Sequence, residues 1–379
     1  MLRFFSLLSF VVSFISASAL TSGNSIPIPG ASNVISSISS CYNSKNNQTI
    51  ISWNSGNLGY YAIYDYKTLS FSTSSAQIPG AFPATNVDCC YNPTSNTVVF
   101  AWTDSTTQSP TYSIYDCQLI FSGPATPLSN TYTYGANGGY IYCCAGKDSV
   151  LFTWCDKNEN AWFALYSIAL SEFIYSPSFL QLVLSHPTSD VYSSYDPYND
   201  VFAITWAVGT NVYLSTMKSN TPPGFPFPIY NYTKNIQYVF SAYNPSISGF
   251  VLTFSSDLSY IGFFTDYMYS SGAFSIQSSF YYLNDYLFPC SDLNNIALIS
   301  YGFGASSYFV YNCKTKGASN TQQLSTNSEY LVFSSYSVDE AQFFFAWPTD
   351  RGEGYFSIIG DPAQATAKAL KNMNTSHYQ

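Results

Sequence analysis

Seven aromatic residues, Trp53, Trp102, Trp154, Trp206, Phe254, Tyr301 and Trp347, stand at successive gaps of 49, 52, 52, 48, 47 and 46 residues. Five of the six tryptophans fall in this one column. Each member ends a short apolar run, as Thr97-Val98-Val99-Phe100-Ala101 does before Trp102 and Val201-Phe202-Ala203-Ile204-Thr205 before Trp206. Such runs read as strands buried on both faces. A chain that repeats one small unit must pack the copies side by side, because no copy buries its apolar face alone.

A turn precedes the run. It reads Tyr42-Asn43-Ser44, Tyr91-Asn92-Pro93, Tyr195-Asp196-Pro197 and Tyr243-Asn244-Pro245, and the third copy shortens it to Ala145-Gly146-Lys147-Asp148. Asn and Asp side chains bond their own backbone and Pro fixes φ, so Asx-Pro is a turn with a mechanism. A third strand follows, as at Tyr60 to Tyr64 and Trp162 to Tyr166, then a looser fourth, as at Phe71 to Ile78. Four strands in a unit of this length is the arithmetic of a β-propeller blade. The spacing predicts an all-β, seven-bladed β-propeller with four antiparallel strands per blade.

Two columns before the turn test that expectation. One holds Cys41, Cys90, Cys144, Ser194, Ala242, Cys290 and Ser335. The column before it holds Ser40, Cys89, Cys143, Ser193, Ser241, Pro289 and Ser334. All are small, as expected where seven inner strands converge on an axis. Ring closure has its own trace. Ile28-Pro29-Gly30-Ala31 precedes the first copy at nearly the offset by which Ile78-Pro79-Gly80-Ala81 precedes the second. The N-terminal segment is therefore expected as the outer strand of the last blade, which removes an exposed edge. The domains expected are residues 1–19 as a signal peptide, 20–360 as the propeller and 361–379 as a C-terminal tail.

Tyr91-Asn92-Pro93-Thr94-Ser95-Asn96 leading to Trp102 resembles the repeat of secreted bacterial seven-bladed propellers, whose blades carry a Tyr-Asn-Pro-x-x-Asn turn before an apolar strand ending in Trp. Tyr195-Asp196-Pro197-Tyr198-Asn199 to Trp206 and Tyr243-Asn244-Pro245 to Phe254 are weaker copies, and copies three, six and seven depart from the motif. The resemblance implies export and a binding or surface role. It carries no catalytic residue over.

Arg3, the apolar run Phe4 to Ile15 and Ala17-Ser18-Ala19 have the order of a secretory signal. The chain is expected to be exported: secreted, periplasmic or at the cell surface. Of 379 residues 46% are hydrophobic and 9% charged, so disorder is not expected. The formal net charge is −9 and the only arginines are Arg3 and Arg351, which leaves no basic footprint for nucleic acid. Three glycosylation acceptors stand at Asn47-Gln48-Thr49, Asn231-Tyr232-Thr233 and Asn374-Thr375-Ser376, and matter only in a eukaryotic secretory pathway.

Catalytic equipment is scarce. His186 and His377 are the only histidines, too few for a histidine metal centre. Asp104, Asp156, Asp257 and Asp350 each follow the aromatic column by two or three residues. Capping of tight turns is the simplest reading. On one rim these carboxylates could also hold calcium, orient a basic partner or serve as a glycosidase pair. No cofactor is expected otherwise. The nine cysteines leave three arrangements open: vicinal bonds in Cys89-Cys90 and Cys143-Cys144, bonds between neighbouring inner strands within the column Cys41, Cys90 and Cys144, and buried free thiols. The 35 tyrosines fit packing between blades and adaptable contact surface.

The function expected is a non-enzymatic binding or adhesion module that offers a propeller rim to a protein or glycan, as a monomer with no transmembrane segment in the mature chain. The alternative is a carbohydrate-active enzyme using the rim carboxylates.

Overall fold

A computed structural model describes residues 25–117, 124–128, 139–158, 160–180, 190–231, 235–256, 262–268, 273–279, 287–292, 295–302, 305–313, 317–318, 321–325 and 332–360. The expected signal peptide, the tail, Asp257, His186 and His377 lie outside these residues.

The chain is an all-β propeller of antiparallel sheets; among the described residues five have four strands and two have five. The fifth strand in each of those two is a break in the outer edge. Ser70–Phe71 and Ala76–Gln77 both pair with Leu58–Asp65, and Gly317–Ala318 and Gln322–Ser325 both pair with Ala305–Asn312. The innermost strands are Val34–Asn43, Ala84–Asn92, Ile141–Ala145, Tyr192–Asp196, Ile236–Asn244, Leu287–Ser291 and Phe333–Ser337. Each lies against the next, and the last returns to the first.

The aromatic column lies on the second strand of its sheet. Trp53, Trp102, Trp154, Trp206 and Trp347 are all essentially buried. Three stack on the residue paired with them across the hairpin: Trp53 on Tyr60 at 6.1 Å, Trp154 on Trp162 at 6.3 Å and Trp206 on Tyr213 at 5.9 Å. Each buried large side chain is worth about 1.5–3 kcal/mol of transfer free energy. The second strands are covered on both faces because each sheet packs between two others. This is the reason for their unbroken apolar runs.

The turn motif has three working parts. The Asx side chain caps the turn: Asn43 accepts from Lys45 N at 3.1 Å, Asn92 from Ser95 N at 3.0 Å, Asp196 from Tyr198 N at 2.9 Å and Asn244 from Ser246 N at 3.0 Å. The tyrosine before it closes the loop, since Tyr42, Tyr91 and Tyr195 donate their hydroxyls to Asn47, Asn96 and Asp200 at 2.9, 2.9 and 2.8 Å. Those three acceptors sit at positive φ, which Asn and Asp tolerate better than most residues. The third part reaches sideways. The Asn92 amide donates to Gly146 O at 2.8 Å and the Asn244 amide to Ser291 Oγ at 2.8 Å, each in the next blade.

The N-terminal segment supplies the outer strand beside Gly354–Gly360, with Ile26 opposite Phe356 and Pro27 opposite Tyr355. The two Ile-Pro-Gly-Ala segments do the same work. Ile28 N donates to Gly354 O at 2.8 Å and Gly354 N to Ala31 O at 2.9 Å; Ile78 N donates to Gly59 O at 2.8 Å and Gly59 N to Ala81 O at 3.0 Å. A β-carbon on Gly354 would stand 2.6 Å from Ala31 Cβ, and one on Gly59 2.7 Å from Ala81 Cβ. Side chains complete the seam between first and last blades: Ser40 Oγ donates to Ser335 Oγ at 3.1 Å, and the Tyr42 hydroxyl, shared with Asn47, lies 2.7 Å from an Asp339 carboxylate oxygen.

Candidate functional site

A funnel of about 600 Å³ runs along the axis from the face that carries the Asx turns. Its mouth is ringed by Tyr42, Tyr91, Tyr195, Tyr198, Tyr243 and Tyr336, with Pro197 and Pro245 between them. Tyr198 is 71% exposed and its ring lies 6.1 Å from that of Tyr243. The walls are the two small columns, and they include Cys41, Cys89, Cys90, Cys143, Cys144 and Cys290. Among the described residues of the lining, Asp292 is the one carboxylate.

Small side chains form the wall, but bulky ones close the axis. Two residues before the turn-proximal column the inner strands carry Ser39, Asp88, Tyr142, Tyr192, Phe240, Phe288 and Phe333. Five aromatic rings from five strands meet there: Phe288 lies 4.6 Å from Phe333 and 5.1 Å from Phe240, and Tyr192 lies 5.1 Å from Tyr142 and 5.2 Å from Phe240. Crowding therefore excludes large residues only from the two columns near the mouth. The sequence signal was present as an aromatic at the same offset in five copies.

The remaining two places on that level hold a polar pair. Asp88 accepts from Ser39 Oγ at 2.5 Å and from Cys143 N at 2.8 Å, tying three consecutive inner strands together. Burial beside the rings pushes its carboxyl up to about 6 despite these bonds. Nearby, Tyr142 donates to Asp190 at 3.4 Å, and burial raises the Asp190 carboxyl to about 7. Neither residue stood out in the sequence, because each is a lone acid in an ordinary strand or loop.

The acidic column lies at the opposite end of the second strands from the funnel mouth. Thr97–Asp104 begins at the Asn92 turn and ends at Asp104. Asp104 accepts from Thr106 N and Thr107 N at 2.8 and 2.9 Å, which is turn capping. Asp156 is 5% exposed and accepts from Asn158 N, Asn160 N and the Trp162 indole at 2.9, 2.8 and 2.9 Å. Asp350 lies in an exposed turn. Among the described residues, no three His, Cys, Asp or Glu side chains form a group able to hold a metal ion. No helix among them is long and apolar enough to cross a membrane.

The vicinal cysteines part company. Cys89 belongs to the apolar cluster that contains Cys41, and Cys90 to the one that contains Cys143. All nine cysteines are unbridged.

No protein-family model matches the chain, and no curated protein matches it. Solved structures do. The hydrazine synthase of Kuenenia stuttgartiensis matches with a TM-score of 0.60 at 8% identity, over 87% of this chain and 96% of that one. The WD40 repeats of RRP9 match at 0.57 and 8%, over 90% and 99%. An oligogalacturonate lyase in complex with manganese matches at 0.55 and 10%, over 90% and 98%. At such identities the likeness is one of fold alone.

Proposed function

We propose that the chain is an exported seven-bladed ring that works as a non-enzymatic binding module, taking a glycan or protein ligand at the funnel mouth. The blade count is supported by the five four-stranded and two five-stranded sheets and by the cyclic succession of their inner strands. Export rests on the signal-like order of residues 1–19.

One observation carries the binding reading: a concave, tyrosine-ringed opening in whose described lining Asp292 is the one charged side chain. Tyrosine offers a flat apolar face for stacking and a hydroxyl for hydrogen bonding, at low entropic cost. Anion and phosphate ligands find no cationic side chain among the described lining residues. The rim carboxylates that a glycosidase would need are engaged as turn caps at Asp104 and Asp156. This moves the expected site from the acidic margin to the opposite face.

A glycan array and a hydrolysis screen on the same sample test this. Binding should fall at least tenfold in Tyr198→Ala and Tyr243→Ala and survive Asp104→Asn. Binding lost only in Asp104→Asn, or glycan turnover that disappears in that variant, would overturn the reading.

A further inference from the structure

The two small columns meet in diagonal pairs between neighbouring inner strands. The residue just before the turn in one strand meets the residue one place earlier in the next. Ser194 Oγ and Ser241 Oγ lie 2.7 Å apart, and Ser335 accepts from Ser40 at 3.1 Å. Cys290 lies beside Ser334 in the same relation. The register places Cys144 with Ser193 and Ala242 with Pro289 at two further interfaces. At the remaining two, both members are cysteine: Cys41 with Cys89, and Cys90 with Cys143.

The two cysteine pairs share one geometry. Cys89 Sγ lies 3.8 Å from the carbonyl of Ile50, the residue paired with Cys41. Cys143 Sγ lies 3.8 Å from the carbonyl of Val99, the residue paired with Cys90. Within each pair the two thiols also lie close enough for one to raise the pKa of the other, Cys89 acting on Cys41 and Cys90 on Cys143. The serine pairs show that side chains of this length touch across this interface. All four residues line the funnel, although they are mostly covered, at 9%, 4%, 7% and 8% exposure for Cys41, Cys89, Cys90 and Cys143.

We propose that Cys41 with Cys89 and Cys90 with Cys143 are two dithiol pairs that oxidise to disulfides joining three consecutive blades, with a small-molecule disulfide entering by the funnel as oxidant. One cysteine thiolate attacks the oxidant's S–S bond, forming a mixed disulfide and releasing one thiol. The second cysteine displaces the other thiol and closes the protein bond. Two electrons pass from the protein pair to the oxidant, and the two cysteine protons end on the two released thiols. Burial holds the Cys41 and Cys143 thiols well above their ordinary range, so the reaction should speed up as pH rises from 7 to 9, by about tenfold per unit where thiolate supply limits it. Cys144 and Cys290 line the same funnel opposite serines, which makes them internal controls.

The test uses the full chain, reduced in the native state, freed of reductant, exposed to oxidised glutathione, then acid-quenched, denatured and alkylated. Of nine cysteines the wild type should take five labels, nine less the four bridged. Cys41→Ser should form one bond only, as should Cys143→Ser, and the double variant none. Serine already occupies equivalent hub positions, and circular dichroism checks that each variant folds. Nine labels after oxidation, a lasting glutathione adduct on the wild type, or a bond that persists in the double variant would each overturn the proposal.

Discussion

The hub divides into two arcs built on one backbone plan. From Val34–Asn43 to Ile141–Ala145 the paired sites hold thiols, and the axis is crossed by the Ser39–Asp88 bond. From Tyr192–Asp196 round to Phe333–Ser337 the paired sites hold mostly hydroxyls, and the axis is filled by rings. The strand register is common to both arcs, so each β-carbon is set in an equivalent place. What differs is whether the side chain there can be cross-linked, titrated or only packed. The repeat thus fixes geometry and leaves chemistry free to vary from copy to copy.

The largest expected effect is at the seam where the arcs meet. Deleting residues 20–31 removes the outer strand beside Gly354–Gly360 and uncovers an edge. The melting temperature should fall by well over ~10 °C, or folding should fail. A neutral truncation would mean that the seam contributes nothing to the ring.

Next comes the ring-filled arc. Phe288→Ala should cost about 3–5 kcal/mol in urea unfolding, because its ring touches Tyr192, Phe240 and Phe333. Ser39→Ala on the polar arc should cost about 1 kcal/mol, the worth of one hydrogen bond. Equal losses would erase the contrast between the arcs.

A loss of about 1–2 kcal/mol is expected for Asn92→Ala, which removes a turn cap and an inter-blade bond together. Thr94→Ala, in the same turn but exposed, is the control and should be silent.

The smallest effect is a pH slope. A carboxyl whose folded value is raised holds its proton more tightly in the native state. Its stabilising contribution is full below pH 4 and is lost as pH rises through the folded value. For Asp88 that window ends near its value of about 6, and for Asp190 near its value of about 7. The protein should therefore melt higher at pH 5 than at pH 8, by on the order of 1 kcal/mol per group. Asp88→Asn should flatten the slope between pH 4 and 6. A slope of opposite sign would contradict the desolvation at the axis.

Much of this architecture was legible in the sequence. The Trp column fixed the period, and the Tyr-Asx turn marked the register of four inner strands. Small residues before the turn located the wall of the funnel. The plug was missed because its members, Tyr142, Tyr192, Phe240, Phe288 and Phe333, look like any aromatic in a strand until the strands converge. The diagonal pairing was missed because it depends on the stagger between neighbouring inner strands, which no single copy encodes. The acidic column drew attention as a set, but Asp104 and Asp156 each serve their own turn. The funnel mouth was hidden among 35 tyrosines, since composition does not separate a packed ring from an exposed one.

The central claim is that one diagonal contact repeats around the axis until the last inner strand meets the first. The Ser335–Ser40 contact is where that claim is most exposed. With Cys41, Cys89, Cys90 and Cys143 all changed to Ser, the further pair Ser40→Cys and Ser335→Cys should oxidise to a single bond that peptide mapping places between positions 40 and 335. Two freely alkylated thiols at those positions in the folded, oxidised protein would contradict closure of the ring.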